Sequence, residues 1–481
     1  MKDGRQLMNR TRRIATNLSY LFLGEGISVL LAFVTTIWLA RQLTDEGFGR
    51  LAYVQSIIAY FAILTDLGLS VFGTREIARQ PELARKISAN IFAIRLSIAA
   101  GSVVLLSLVV SMLSLNLEMK LLLLAGSLAL LTQAMNPEFL FQGLERMGGI
   151  ALWRILIHGL YLLPIILLVK SREQLVWVPV FRFAAECIAV FICLAVIWRL
   201  LPGSWRRSLD VSAWPSFVQE SVVIALAVLV VRVYYSFDTL MLGAMDRPEA
   251  VGWYSAALKI AQLLMIAATL IQSSFAPFIA KEAAKPEQLD RVMLRFGILL
   301  TAIGGLASGT FILLNGFIVT TLYGAAYLNA GAPLLILCIS TLVNYMATAF
   351  TAALIFGGRQ KAYLKIVIAA TLVNVVLNLL LIPKFSYMGA AWSNLGFNVA
   401  LLGLSLPAYF KIGRSAMVLR HPLLICLLTA VLVLALSHVA IHPFLRSLIF
   451  IFSFGGAMML MYKTHVIAFV QNWRQQAHPQ A

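Results

Sequence analysis

Fourteen apolar runs, nearly free of charge and mostly 20 residues or longer, leave this chain few ways to fold. A hydrocarbon layer about 30 Å thick takes about 20 residues of helix to cross. Within it every backbone N–H and C=O must bond inside the protein, so runs of this length are helices. The spans are predicted roughly at 17–40, 51–74, 91–113, 121–142, 150–170, 176–198, 217–243, 252–280, 296–322, 332–356, 364–384, 388–410, 422–441 and 444–462. The fold class that follows is an all-α integral membrane protein with about 14 transmembrane helices. Charged residues are 12% of the chain, against about 25% in a soluble domain. The first run is too long for a signal-peptide core and lacks a small-residue cleavage pattern, so it reads as an uncleaved span.

The net charge is +18, which in a soluble protein would point to nucleic acid. Here the basic residues sit in short clusters between apolar runs, and no nucleic-acid partner is expected. On the side of the N-terminus the connections and tails carry 25 Lys and Arg, on the other side 8. That asymmetry predicts cytoplasmic termini at both ends. The largest gap, about 199–216, is basic and Trp-rich, and reads as a segment lying at the membrane surface. No connection has room for an extramembrane catalytic domain. A membrane glycan polymerase or ligase needs an exposed outer loop, so an enzyme is not expected. The sequence lacks GxxxxGK[ST] and HExxH. Cys187, Cys193, Cys338 and Cys426 all fall inside apolar runs without metal-ligand spacing. Neither a cofactor nor a metal is implied.

A shift of 203 residues lays the stretch Arg41 to Arg79 onto Ala244 to Glu282. Gly49 then meets Gly252, Ile57 meets Ile260, Leu67 meets Leu270 and Phe72 meets Phe275. Each copy has a turn, a glycine near the helix start, a span with polar positions and a charged exit. Two related six-helix bundles around a central cavity would be a transporter architecture. The expected division is 1–205 and 206–415 for the bundles and 416–481 for two accessory helices and a tail.

The segments "GFGRLAYVQSI", "LTDLGL", "TREIAR", "DTLMLGAMDRPEAVGWYSAALKI" and "NVVLNLLLIPKFSYMGAAWSN" resemble signature regions of bacterial polysaccharide flippases. These are O-antigen and exopolysaccharide translocases of the multidrug/oligosaccharidyl-lipid/polysaccharide exporter superfamily. The resemblance runs through nearly the whole chain in span order. It implies two six-helix bundles forming a V-shaped cavity, with spans 13 and 14 accessory. It also implies flipping of an undecaprenyl-pyrophosphate-linked oligosaccharide across the bacterial cytoplasmic (inner) membrane by alternating access. Partners would be that lipid-linked oligosaccharide, membrane lipids, H+ or Na+, and other polysaccharide assembly proteins. The rival readings are an ion-coupled drug or cation exporter and a peptidoglycan lipid-precursor flippase of the same superfamily.

Ionisable groups within spans are costly and functional by default, at roughly 2.5–3.5 kcal/mol each on insertion scales. Spans 1, 2, 7 and 8 hold the best candidates, whereas the interiors of spans 13 and 14 hold no Asp, Glu, Lys or Arg. Arg232 and Lys259 suit a pyrophosphate, with Arg95, Arg154, Gln55 and Gln262 as further substrate-binding candidates. Glu25 and Asp66 suit ion coupling. Asp238, Arg75 and His158 are second-rank candidates. Arg95 and Arg154 lie near span ends and have snorkelling to the headgroups as an alternative. Arg75, with Glu76 and Arg79, also reads as an orientation cluster. Arg182 and Glu186, at i and i+4 in span 6, read as mutually neutralising. Asn374 and Asn378 read as pins between helices.

Overall fold

The computed structural model describes the backbone of residues 2–477 other than 202, 413, 414 and 416. It describes the side chains of that range other than 2–22, 206, 223–235 and 464–477. The described residues are overwhelmingly helical and include no strand. Among the described residues, eleven helical stretches are long and apolar enough to cross a membrane. Two of them, Leu23–Arg79 and Gln360–Phe410, are broken by non-helical residues, Thr44 (φ 63°, ψ 175°) and Ser386 (φ 55°, ψ −135°), and each holds two spans. The helix Trp214–Met245 completes the fourteen expected from the sequence.

The chain forms two compact units, Met1–Ser255 and Ala256–Ala481. The first contains α1 (Lys2–Asp66), α2 (Leu69–Arg79), α3 (Ala84–Met112), α4 (Leu117–Ser127), α5 (Ala129–Ala134), α6 (Glu138–Gly143), α7 (Met147–Leu168), α8 (Trp177–Leu200) and α9 (Trp214–Met245). Helix α10 (Pro248–Glu282) begins there and runs on into the second unit. The second unit continues with α11 (Pro286–Leu313), α12 (Asn315–Tyr323), α13 (Gly331–Phe356), α14 (Gln360–Phe410), α15 (Met417–Ser437) and α16 (Pro443–Ala477).

In lipid, apolar side chains gain little by leaving one apolar surface for another, so close packing and polar ties hold helices together. In the first unit Phe72, Ile91, Phe92, Phe139, Phe141 and Trp153 form a packed centre between α2, α3, α6 and α7. At one end of this unit a charge network ties three connections. Arg50 bonds Glu46 at 2.7 Å and Glu118 at 2.5 Å, and Arg172 bonds Glu46 at 2.6 Å. In the second unit Phe296, Tyr345, Phe350 and Tyr409 are buried between α11, α13 and α14. Helices α15 and α16 pack on α11 through Ile425, Phe450 and Phe454. Asn374 and Asn378 are fully buried and bonded to each other at 3.1 Å within α14, a bond along one helix and not the tie between helices that the sequence suggested. Asn344 and Asn398 are bonded at 2.6 Å, and Ser340 and Asn394 at 2.7 Å, so these asparagines join α13 to α14.

Both units tie the segment after their later spans by the same device, a buried polar side chain near the start of a helix. Asn90 of α3 accepts from the Asp210 backbone N–H at 2.9 Å and from Trp214 Nε1 at 3.0 Å, and donates to the Ser208 carbonyl at 3.0 Å. Asp290 of α11 accepts from the Tyr409 hydroxyl at 2.6 Å and from the Ser415 backbone N–H at 2.8 Å.

Candidate functional site

Two spans of the first unit are interrupted, and the interruptions build the site. Span 4 reads as one apolar run, yet α5 ends at Ala134 and α6 starts at Glu138, on either side of Pro137. Proline has no N–H, so the Gln133 carbonyl lacks its partner four residues on. Arg95 of α3 supplies a donor. Its Nη2 reaches the Gln133 carbonyl at 2.7 Å and its Nη1 the Asn136 carbonyl at 3.4 Å. The Asn136 side chain accepts from the Glu138 N–H at 2.9 Å, turning the chain into α6.

Span 2 breaks just after Asp66. Leu67 and Gly68 take positive φ (41° and 75°) before α2 begins. Asp66 therefore stands before the first turn of α2, where unsatisfied N–H groups favour an anion. It accepts from the Ser70 hydroxyl at 2.5 Å, and its Oδ1 lies 3.4 Å from Arg95 Nε. One arginine thus joins both breaks. Arg95 is 5% exposed, so it is an internal anchor and does not snorkel.

A second cluster lies on α1, α6 and α7. A β-carbon on Gly24 would come within 2.5 Å of that of Ala151, so α1 and α7 cross almost in contact. One turn along α7, Arg154 bonds Glu25 through Nη1. The same guanidinium donates to both oxygens of Glu138, through Nε at 2.8 Å and Nη2 at 3.2 Å. Two carboxylates share one cation. Their side chains are 41% (Glu25) and 28% (Glu138) exposed, and that of Arg154 is 34% exposed. His158 follows one turn on along α7. Further along the bundle Arg182 bonds Glu186 at 2.9 Å, and the Thr132 hydroxyl donates to the other Glu186 oxygen, so this pair neutralises itself as expected.

The structure thus brings Glu25 together with Arg154, and Asp66 with Arg95. Asp238 is buried and accepts from the Tyr254 hydroxyl at 2.9 Å. Arg75 is partly exposed, bonded to Glu76 at 2.8 Å and Glu220 at 3.1 Å, and lies over the Phe72 ring. Gln55 is half-buried on α1. Lys259 and Gln262 belong to the second unit, with Lys259 on an exposed face of α10. The Arg232 side chain lies outside the described residues. Sequence reasoning missed Glu138. The signal was present: an acidic residue directly after Pro137 in an otherwise apolar run.

Among the described residues no group of His, Cys, Asp and Glu is placed to hold a metal ion. The arrangement suits reversible binding of charge: guanidinium groups held by carboxylates within a membrane bundle can exchange partners without covalent chemistry.

Residues 14–283 match the profile of the family described as polysaccharide biosynthesis protein. A protein of Escherichia coli strain K12, described as a candidate O-antigen transporter, is 24% identical over 383 residues, or 78% of this chain and 91% of the relative. Among solved structures, the lipid II flippase MurJ in an inward closed conformation aligns with a TM-score of 0.73 at 12% identity, over 93% of this chain and 99% of MurJ. An inward-facing multidrug resistance transporter of the MATE family in the MOP superfamily aligns with a TM-score of 0.64 at 13% identity, over 82% of this chain and 95% of its own. These two likenesses concern the fold. With more than half of its length matched by the profile, this multi-pass membrane chain belongs to the polysaccharide biosynthesis protein family and has a MurJ- and MATE-like fold.

Proposed function

We propose that this protein is a flippase. It carries an undecaprenyl-pyrophosphate-linked oligosaccharide across the cytoplasmic (inner) membrane by alternating access, for surface polysaccharide synthesis. One observation carries the reading: two interrupted helices in one membrane bundle, with ionisable side chains gathered at the breaks. Broken spans are tolerated in lipid only where they are buried in protein or line a polar cavity, and transporters place their sites there. The name of the Escherichia coli relative points the same way.

The work is recognition, with no bond broken, so the protein acts as a transporter and not as an enzyme. Bundles 1–205 and 206–415 would rock about the site, with 416–481 accessory and both termini cytoplasmic. Arg232 and Lys259 would attract the pyrophosphate, and Glu25 and Asp66 would couple H+ or Na+. Other polysaccharide assembly proteins would receive the flipped unit.

The test is deletion of the chromosomal copy, followed by extraction of surface glycan and lipid-linked intermediates. Loss of surface polymer, with lipid-linked repeat units trapped on the inner leaflet, is the expected result. Normal glycan with raised sensitivity to cationic dyes would move the assignment to a drug exporter. Single repeat units that reach the outer leaflet but stay unpolymerised would restore the polymerase reading.

A further inference from the structure

We infer that Glu25, Glu138 and Arg154 form one site at which an anionic headgroup and a proton bind together. The inference rests on the flippase reading and sharpens it. It replaces separate substrate and ion sites in the first unit by a single exchange at one guanidinium.

The charge count comes first. Of the three intramembrane arginines described in the first unit, Arg95 is matched to Asp66 and Arg182 to Glu186. Arg154 alone faces two carboxylates, Glu25 and Glu138. The triad carries one negative charge in excess. The charged groups around it do not correct this excess. His158 is one turn away on α7, Arg182 and Glu186 on α8 neutralise each other, and Asp66 and Arg95 are occupied at the helix breaks.

Access comes second. Arg95 is 5% exposed and bonded to two carbonyls, so no ligand reaches it without breaking the helix junction. Arg154 is 34% exposed and donates its hydrogen bonds to the carboxylates of Glu25 and Glu138. Side chains can swing away at little cost, whereas backbone carbonyls cannot.

The chemistry then follows. A pyrophosphate oxygen offers Arg154 the same forked bond that a carboxylate does. When it takes the guanidinium, Glu25 and Glu138 face the incoming anion without their shared cation. Carboxylates that gain an anionic neighbour and lose a cationic one resist ionising together. One takes a proton from water and holds it on a carboxylate oxygen, and gives it back when Arg154 returns. No bond other than this O–H forms or breaks.

The test uses the full-length protein in detergent and a citronellyl diphosphate-linked N-acetylglucosamine. This pyrophosphate diester does not itself titrate near neutral pH. Calorimetric titration in buffers of different ionisation enthalpy counts protons per bound probe. The wild type is expected to take up about one proton per probe near pH 7. Glu25→Gln and Glu138→Gln keep the side-chain shape, and each should abolish the uptake while the probe still binds, several-fold more tightly. Arg154→Lys, checked for a wild-type thermal midpoint, should weaken binding at least several-fold, because ammonium lacks the fork. Binding by the wild type without proton uptake would overturn the inference and leave the flippase reading standing. Uptake that persists in both glutamine variants would do the same. Failure of the wild type to bind the probe at all would remove both.

Discussion

Gly49 and Gly252 sit against each other's chain so closely that neither has room for a β-carbon. One built on Gly49 would lie 1.8 Å from the Pro248 carbonyl oxygen, and one on Gly252 would lie 2.1 Å from the Asp45 carbonyl oxygen. A shift of 203 residues carries Asp45 onto Pro248 and Gly49 onto Gly252, so the contact is reciprocal, as across a local two-fold axis. Asp45 adds a bond from Trp253 Nε1 at 2.9 Å. Gly49→Ala or Gly252→Ala must push the two helix starts apart, and overpacking of this kind costs roughly 1–3 kcal/mol. Both variants should unfold at a lower temperature in detergent and complement a deletion strain poorly at normal membrane levels. Gly101→Ala is the control. A β-carbon there meets nothing within 4 Å, so it should be neutral or slightly stabilising. Wild-type midpoints for both contact variants would show that the helix starts are free to separate.

Arg95 supports two broken helices at once, so its loss should exceed that of its partner. Arg95→Met leaves Asp66 without its cation and takes a donor from each of two carbonyls. Breaking a fully buried pair by removing one member costs about 3–5 kcal/mol, and because Asp66 is 30% exposed the loss here should fall below that range. Asp66→Asn keeps an acceptor for Ser70 and should cost clearly less. The double variant should be more stable than the sum of the single losses predicts, because the stranded carboxylate is gone. Thermal unfolding of the four proteins reads the coupling directly. Simple additivity would mean that the 3.4 Å pair contributes nothing.

These two sites mark how much the sequence makes legible. Span count and membrane character follow from the apolar runs, because lipid permits so few structures. The repeat pairs Gly49 with Gly252 by alignment, but alignment does not say that the two glycines touch. Glu25 and Arg154 stand out as charges in spans, yet their pairing joins residues 129 apart and depends on how α1 crosses α7 at Gly24 and Ala151. Pro137 advertises a helix break. Which side chain satisfies the Gln133 carbonyl is fixed only by packing, and that is why Arg95 reads from sequence as either snorkelling or binding. Glu138 escaped notice because it lies within a few residues of a span end, where charges are common.

Asp210 gives a pH dependence outside the membrane spans. The Ser212 hydroxyl, and after it the Lys86 ammonium at 3.0 Å, hold its carboxyl below the usual carboxylate range. The folded state thus favours the charged form. This contribution is complete above the unfolded value, about 3.9, and is lost as pH falls through the lower folded value. Tryptophan emission of the wild type and of Asp210→Asn should therefore differ by a constant amount from pH 8 to pH 5. The difference should shrink only in stronger acid. A difference that vanishes between pH 7 and pH 5 would mean that another group controls this connection.

Asn90 and Asp290 perform the same task in the two units, so removing either should loosen a connection without touching the ion network. Asn90→Ala strands the Asp210 N–H, the Trp214 indole N–H and the Ser208 carbonyl. Asp290→Ala strands the Tyr409 hydroxyl and the Ser415 N–H. Each stranded buried group costs about 1–3 kcal/mol unless water reaches it. The 199–213 connection contains Arg199, Arg206 and Arg207, which trypsin can cut once the segment lifts off α3. Trypsin should therefore cleave Asn90→Ala there at least several-fold faster than the wild type. In Asp290→Ala, cleavage should speed up at Lys411 instead. Tyr409→Phe removes the hydroxyl bond to Asp290 and should fall between Asp290→Ala and the wild type. Equal cleavage at both connections in both variants would mean that the two units unfold together, and that the ties do not act locally.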